Sequence, residues 1–342
     1  MSDAAVSDAT AKDTTVKDAT VKAATAKDGA VIELQALTVR YGKSPILDGV
    51  SLKVAAGNVY ALLGRNGVGK SSLVRCLLGQ QKPTSGHARL FGQDSWEHRA
   101  KLMERLSVVP EEPDAPPNMT AQQLSRFCAR VYPRWDDAGY VARLQRFEVP
   151  LKVAFGKLSR GQKAQVMMAL ALACEPELLV LDDPTLGLDA VARRAVFEEL
   201  AVELADRGIT VFMTSHDLPG VESMATHLAL LHGRSLWLDE PLEDLKTRFR
   251  RLTFGRRQGV GDRADDGVDL LADLEPLTVR SRGRGVEAIV SKFSEAAFDQ
   301  LLQHPDVEHL EAHPLSLEDI VVAATDTTAA DPADLGAERG TA

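Results

Sequence analysis

Cysteine is scarce in this chain, with Cys76, Cys128 and Cys174 the only three in 342 residues. They are widely spaced, odd in number and without metal-ligand spacing, so neither a disulfide framework nor a zinc cluster is expected; free thiols in a reducing compartment are. Long hydrophobic runs are missing as well. The longest soft stretch, "VMMALALAC" (166–174), is about half of the ~20 residues that span a bilayer, and it ends at Glu175-Pro176. The first residues hold no apolar core of a secretory signal. A basic balance is absent too: the formal net charge is -9, which argues against broad nucleic-acid binding, and no nucleic-acid partner is expected. The expectation left is a soluble protein of the cell interior, and its hydrophobic content of 44% suffices for a full core and about two domains.

Residues 6–25 form a degenerate five-residue repeat, VSDAT, AKDTT, VKDAT, VKAAT. A period of five fits neither helix nor strand, and so few large apolar side chains cannot offset the entropy of ordering, so residues 1–29 read as a disordered tail. From "AVIELQALTV" (30–39) to about residue 245, strand-like runs alternate with helical stretches: "VYALLG" then "KSSLVRCLLG", "ELLVLD" then "AVARRAVFEELAVELADRG", "ITVFMTS" then "HDLPGVESM". That alternation predicts an α/β domain with a mainly parallel sheet. Two short strands are expected in "HLALLHGRSLWLD" (227–239).

A basic segment and linker follow over 246–269. "KTRFRRLTFGRRQ" (246–258) carries six basic residues and no acid, the pattern of a solvated helix face or, alternatively, a face toward anionic lipid. "GVGDRADDGVD" (259–269) reads as a turn-rich linker. A small C-terminal α/β unit is expected over 270–324, with strands in "LTVRS" and "GVEAIVS", a helix from Ser294, a strand near 306–312 and a helix capped by Ser316. Residues 325–342 again have a disordered composition.

The chemistry concentrates in "GRNGVGKS" (64–71), which fits the phosphate-binding pattern G-x-x-x-x-G-K-[ST]. It follows a strand and opens a helix, as the motif requires. Gly64, Gly67 and Gly69 let the backbone of Arg65, Asn66 and Val68 wrap a phosphate chain, and the helix N-terminus adds partial positive charge. Lys70 can reach the β- and γ-phosphates, Ser71 can ligate Mg²⁺, and Ser72 can contact the α-phosphate. Such a loop needs a second magnesium-holding group. Asp182, ending the apolar run "LLVLD" (178–182), stands where that carboxylate belongs.

"LSRGQ" (158–162) then opens a helix capped by Ser159, just before that strand. With it the chain resembles the nucleotide-binding subunits of ABC transporters, of the bacterial exporter type, over about residues 31–240. The resemblance implies a P-loop NTPase core with a mainly parallel sheet, an antiparallel β subdomain, a helical subdomain over 93–150, and ATP with Mg²⁺ as cofactors. By position it implies that Tyr41 stacks on adenine, that residues 64–72 are the Walker A loop, and that Glu111 occupies the Q-loop, near the metal. Leu158, Ser159, Arg160, Gly161 and Gln162 match the signature that meets the ATP of a partner subunit. Asp182 and Asp183 match Walker B and the water-activating residue, Asp189 the D-loop, and His216 a γ-phosphate donor. ATP would be sandwiched in a head-to-tail homo- or heterodimer that drives a separate integral-membrane permease, so the chain would sit on the inner face of the membrane. The ending "PLSLEDIVVAAT" leans toward export.

Three positions depart from the family pattern. Asp183 stands where Glu is usual and is one methylene shorter, about 1.5 Å, so slow hydrolysis is expected if geometry limits the water attack. Glu111 replaces Gln, keeping an oxygen for the metal but losing an amide donor. Arg160 replaces the first glycine of the signature and is expected to face solvent. Two other readings stay open: a soluble ABC ATPase acting on ribosomes or DNA, and an ATP-gated regulatory module that barely hydrolyses.

Overall fold

The computed structural model describes residues 29–257 and 270–327. The repeat tail over 1–28, the linker expected over 259–269 and the end of the chain from 328 lie outside the described residues. The chain divides between Asp239 and Glu240 into two compact units.

In the first unit, β1 (Ala30–Tyr41), β2 (Ser44–Ala55), β4 (Ser85–Leu90) and β5 (Gln93–Asp94) form a four-stranded antiparallel sheet in the order β2-β1-β4-β5. Alternation along these strands turns Ile32, Leu34, Leu47, Leu52 and Leu90 into the core. The second sheet runs β10-β9-β3-β8-β7-β6, from β3 (Val59–Leu63), β6 (Leu106–Val109), β7 (Leu178–Asp182), β8 (Thr210–Thr214), β9 (His227–His232) and β10 (Ser235–Pro241). β9, β3, β8, β7 and β6 pair in parallel. All five residues of both β3 and β8 are buried, as expected of strands covered on both faces. Every loop that leaves the C-terminal end of β3, β6, β7 or β8 opens on one edge of this sheet, where open α/β sheets bind ligands.

Ten helices are described, of which α1 (Lys70–Leu77) and α2 (Arg99–Leu102) come first. A helical layer follows: α3 (Ala121–Val131), α4 (Asp137–Arg146) and α5 (Arg160–Ala173), packed around Tyr140, Leu144, Val166 and Ala169. Thr120 and Gln123 form a capping box that starts α3, and Tyr140 donates its hydroxyl to Ala121 O at 2.9 Å. α6 (Ala190–Arg207) and α7 (Leu218–Met224) connect the last parallel strands. A buried ion cluster ties α4 to α6. Arg143 donates to Glu199 at 2.9 Å and to Glu203, and all three are at most 5% exposed. Arg146 reaches Glu199 at 2.7 Å, and Arg207 reaches Glu203 at 3.4 Å.

The second unit holds α8 (Leu242–Arg248) and a four-stranded antiparallel sheet in the order β12-β13-β11-β14. Its strands are β11 (Arg250–Arg256), β12 (Pro276–Arg282), β13 (Gly285–Val290) and β14 (Val307–Pro314). Leu252, Phe254, Val286, Ala288 and Val290 make its core, and α9 (Glu295–Leu302) is capped by Ser294. Ser316 accepts from Asp319 N at the start of α10 (Leu317–Thr327), which runs past the boundary expected at 324.

Two sequence expectations change here. The division falls six residues before the expected 245, because Arg248 of α8 bonds Ser291 O at 2.7 Å and Glu240 at 2.9 Å, both in the second unit. The basic stretch read as a solvated helix face is a central strand from Arg250 onward. Inward Leu252 and Phe254 alternate with Arg251, Thr253 and Gly255, a period of two that the density of charge concealed.

Candidate active site

The loop between β3 and α1 carries Gly64, Gly67 and Gly69 at φ of 154°, 79° and 115°. At Gly69 the constraint is double: the left-handed backbone disfavours a side chain, and a Cβ there would fall 2.6 Å from Leu47 Cδ2. Gly67 has open space around its absent side chain. Arg65 O accepts from Val68 N at 3.3 Å, closing the loop. The Lys70 ammonium folds back onto Gly64 O at 2.7 Å and Arg65 O at 3.4 Å. Burial pulls its pKa below the usual amine range, against the opposing charges of Asp183, Asp182 and Glu111.

These groups converge on one cleft of about 430 Å³, lined by Tyr41, Asn66, Gly67, Gly69, Lys70, Ser71, Ser72, Glu111, Asp182, Asp183 and His216 together with Ile46 and Leu186. Asp182 ends β7 and accepts a hydrogen bond from Thr214 Oγ1 at 2.5 Å. Tyr41, 48% exposed at the rim, donates to Gln81 Oε1 at 2.7 Å and lies 3.3 Å from Ser72 Oγ. Contact with the Ser72 hydroxyl lowers the pKa of the Tyr41 phenol.

Asp183 is the most constrained member. Its backbone is left-handed at φ 47°, tolerable for Asp, and its amide donates to Thr214 O at 3.0 Å. One carboxylate oxygen accepts from His216 N at 3.0 Å and the other stands 3.1 Å from His216 Nε2. Burial pushes its pKa above the ordinary carboxylate range, although His216 and Lys70 pull the other way. His216 Nε2 is also 3.5 Å from Lys70 Nζ, so carboxylate, histidine and lysine form one connected set.

The signature residues and Asp189 do not line this cleft. Leu158 is buried in the helical layer, and Ser159 and Gln162 cap α5 reciprocally at 3.1 Å. A Cβ on Gly161 would stand 3.3 Å from Ala192 Cβ, which keeps α5 close to α6. Asp189 caps α6 through Ala192 N at 2.8 Å. Arg160 is exposed, but its guanidinium lies on Gly187: a Cβ at Gly187 would fall 2.5 Å from Arg160 Nη1. Sequence reasoning overlooked Thr214, Ile46 and Leu186. For Thr214 a signal existed, since it directly precedes the Ser-His pair at a strand end.

A phosphate-binding loop, a strand-end carboxylate and a buried acid paired with an exposed histidine around one cleft define a P-loop nucleotide hydrolase. The ABC transporter profile matches residues 47–186. The chain is 32% identical over 223 residues to the bacitracin transport ATP-binding protein BcrA of Bacillus licheniformis, covering 65% of this chain and 73% of that protein. It is 30% identical over 307 residues to a fluoroquinolones export ATP-binding protein of Mycobacterium tuberculosis, covering 86% and 93%. A solved ATP-binding subunit of an ABC transporter superposes with a TM-score of 0.58 at 27% identity, over 64% of this chain and 92% of that one. This chain belongs to the ABC transporter family, as an ATP-binding and ATP-hydrolysing subunit. Among the described residues no helix is long and apolar enough to cross a membrane.

Proposed function

We propose that this subunit binds MgATP in the cleft, closes over it as a head-to-tail dimer and drives a separate integral-membrane permease, in the export direction, from the inner face of the membrane. One observation carries the reading. Lys70, Asp182, Asp183 and His216 converge on the nucleotide cleft, whereas residues 158–162 and Asp189 stand outside it. A second copy presenting the α5 N-terminus would complete the open side of the site. The relatives named for bacitracin transport and fluoroquinolones export support the direction.

The residues present fit magnesium. Ser71, Asp182 and Glu111 offer hard oxygen donors at the cleft, and no cluster of three or more His, Cys, Asp or Glu able to hold a metal alone occurs among the described residues. Magnesium binds in that way, through one or two carboxylates completed by phosphates. When bound it would neutralise charge on the phosphates. Lys70 and the loop amides would bind the β- and γ-phosphates, Tyr41 would stack on the base, and Asp183 would orient and deprotonate the attacking water while His216 holds that carboxylate in place.

The same geometry favours low turnover. Both oxygens of Asp183 are already engaged by His216, so a carboxylate one methylene short has less freedom to meet a water. Affinity purification of the tagged chain from detergent extracts tests the reading. A polytopic membrane protein recovered in fixed ratio is expected; ribosomes, DNA or the chain alone would overturn it.

A further inference from the structure

The sheet of the second unit has one face packed into its core and one that is partly open. Leu252, Phe254, Val286 and Ala288 point inward, so Thr253, Gly255, Gly285 and Glu287 point to the other face. Across the strands the register aligns Arg282, Gly285, Gly255 and Glu308 in one row, and Arg280, Glu287, Thr253 and Glu311 in the next. Two cross-paired glycines thus form the floor of a trough of about 540 Å³.

Neither glycine is demanded by the fold. Gly255 and Gly285 have no left-handed φ, and a Cβ on either would make only ordinary contacts at 3.5 Å. Glycine in a strand marks a bulge, as beside Gly255, or a place where something approaches the backbone closely. The wall on β14 carries a second unusual feature. The pairing of β11 with β14 shifts between Thr253 and Gly255, and His309 sits at φ 53° in the resulting bulge, aimed into the trough. Bulges of this kind re-aim side chains and recur beside binding sites.

The trough is lined by two arginines and two glutamates, and these are unequally partnered. Glu287 is 3.7 Å from Arg251, and Glu311 is 3.2 Å from His313, so both acids have partners. Arg280 and Arg282 project from the edge strand β12, and their side chains make no hydrogen bond or ion pair among the described residues. Two unpaired guanidinium groups two residues apart offer paired donors suited to a phosphate oxyanion. From β12 to β14 the trough crosses three strand spacings, about 14 Å, room for a small molecule beyond the phosphate itself.

We propose that this trough is a binding site, separate from the ATP cleft, for a small phosphate-bearing ligand whose phosphate pairs with Arg280 and Arg282 while its body lies over Gly255 and Gly285 toward His309. The phosphate could come from a soluble ester or from a phospholipid headgroup, and the two sources are separable. The full chain, with its ATP cleft saturated by MgADP, is titrated calorimetrically with inorganic phosphate. In parallel it is sedimented with phosphatidylcholine vesicles with and without phosphatidylglycerol. Two variants accompany the wild type: Arg280→Ala/Arg282→Ala, which removes exposed side chains, and Gly255→Thr, which fills the floor with a residue suited to strands. Both should keep the wild-type melting temperature. Binding about tenfold weaker or more in both variants is expected. Loss of phosphate binding assigns a soluble ligand; loss of vesicle binding alone assigns a headgroup. Binding that is equal in wild type and variants, or absent from the wild type in both assays, overturns the proposal.

Discussion

Replacing Asp183 with glutamate separates two consequences of the geometry around that residue. The longer side chain adds about 1.5 Å of reach, and misplacement near 1 Å costs on the order of a hundredfold in rate. If reach limits hydrolysis, kcat should rise by roughly 10- to 100-fold. Stability should move the other way. The carboxylate now caps His216 N at 3.0 Å, a charge-assisted bond worth about 1.5–3 kcal/mol. The backbone at φ 47° suits Asp better than Glu, by about 1 kcal/mol. Allowing for partial recovery of the cap, a loss of about 2–3 kcal/mol lowers the melting temperature of a domain this size by roughly 5–10 °C. Phosphate release at saturating MgATP and a melting scan on the same preparation give both numbers. An unchanged or reduced kcat, with ATP still bound, would refute the idea that reach limits the rate.

Arg143→Met leaves Glu199 and Glu203 buried with only the half-exposed Arg146 and the more distant Arg207 as partners. Urea unfolding should show a loss of about 3 kcal/mol, the lower end for an uncompensated buried charge; a loss below about 1 kcal/mol would mean the outer arginines suffice. The elevated pKa of Asp183 carries a pH signature with a definite sign. Between the ordinary value of 3.8 and its raised folded value, the native state binds more protons than the unfolded chain, so this group makes stability fall as pH rises through that window. The cost is absent below 3.8 and complete above the folded pKa. Asp183→Asn should therefore gain melting temperature relative to wild type as pH rises from 4 to 8, and a difference independent of pH would contradict the assignment.

Much of the nucleotide cleft was legible because its parts are short, contiguous and placed at strand ends. "GRNGVGKS" after "VYALL" specifies a loop whose glycines must be glycines, and "LLVLDD" ends where a parallel sheet binds ligands. What escaped the sequence depends on distance along the chain or on competing patterns. Arg143 meets Glu199 and Glu203 across 56 and 60 residues, and nothing local marks any of them as buried. Thr214 looks like an ordinary strand residue until Asp182 is seen 2.5 Å from its hydroxyl. The alternation of β11 was hidden by six basic residues that favour a solvated-helix reading equally well. Arg160 is exposed as expected, but its contact with Gly187 was not legible because that glycine belongs to a different loop.

The pairing of β3 also bears on how the chain is made. β3 lies between β8 and β9, and Gly57 N just before it bonds Thr210 Oγ1 across 153 residues. At ribosomal speeds of roughly 5–20 residues per second, about 8–30 s pass between synthesis of the phosphate loop and arrival of the strands that flank it. During that interval "VYALL" is an apolar segment without sheet neighbours, exposed to aggregation or to a chaperone. Truncation between the phosphate loop and β8 therefore leaves a nascent chain that carries the whole loop and has nowhere to place it.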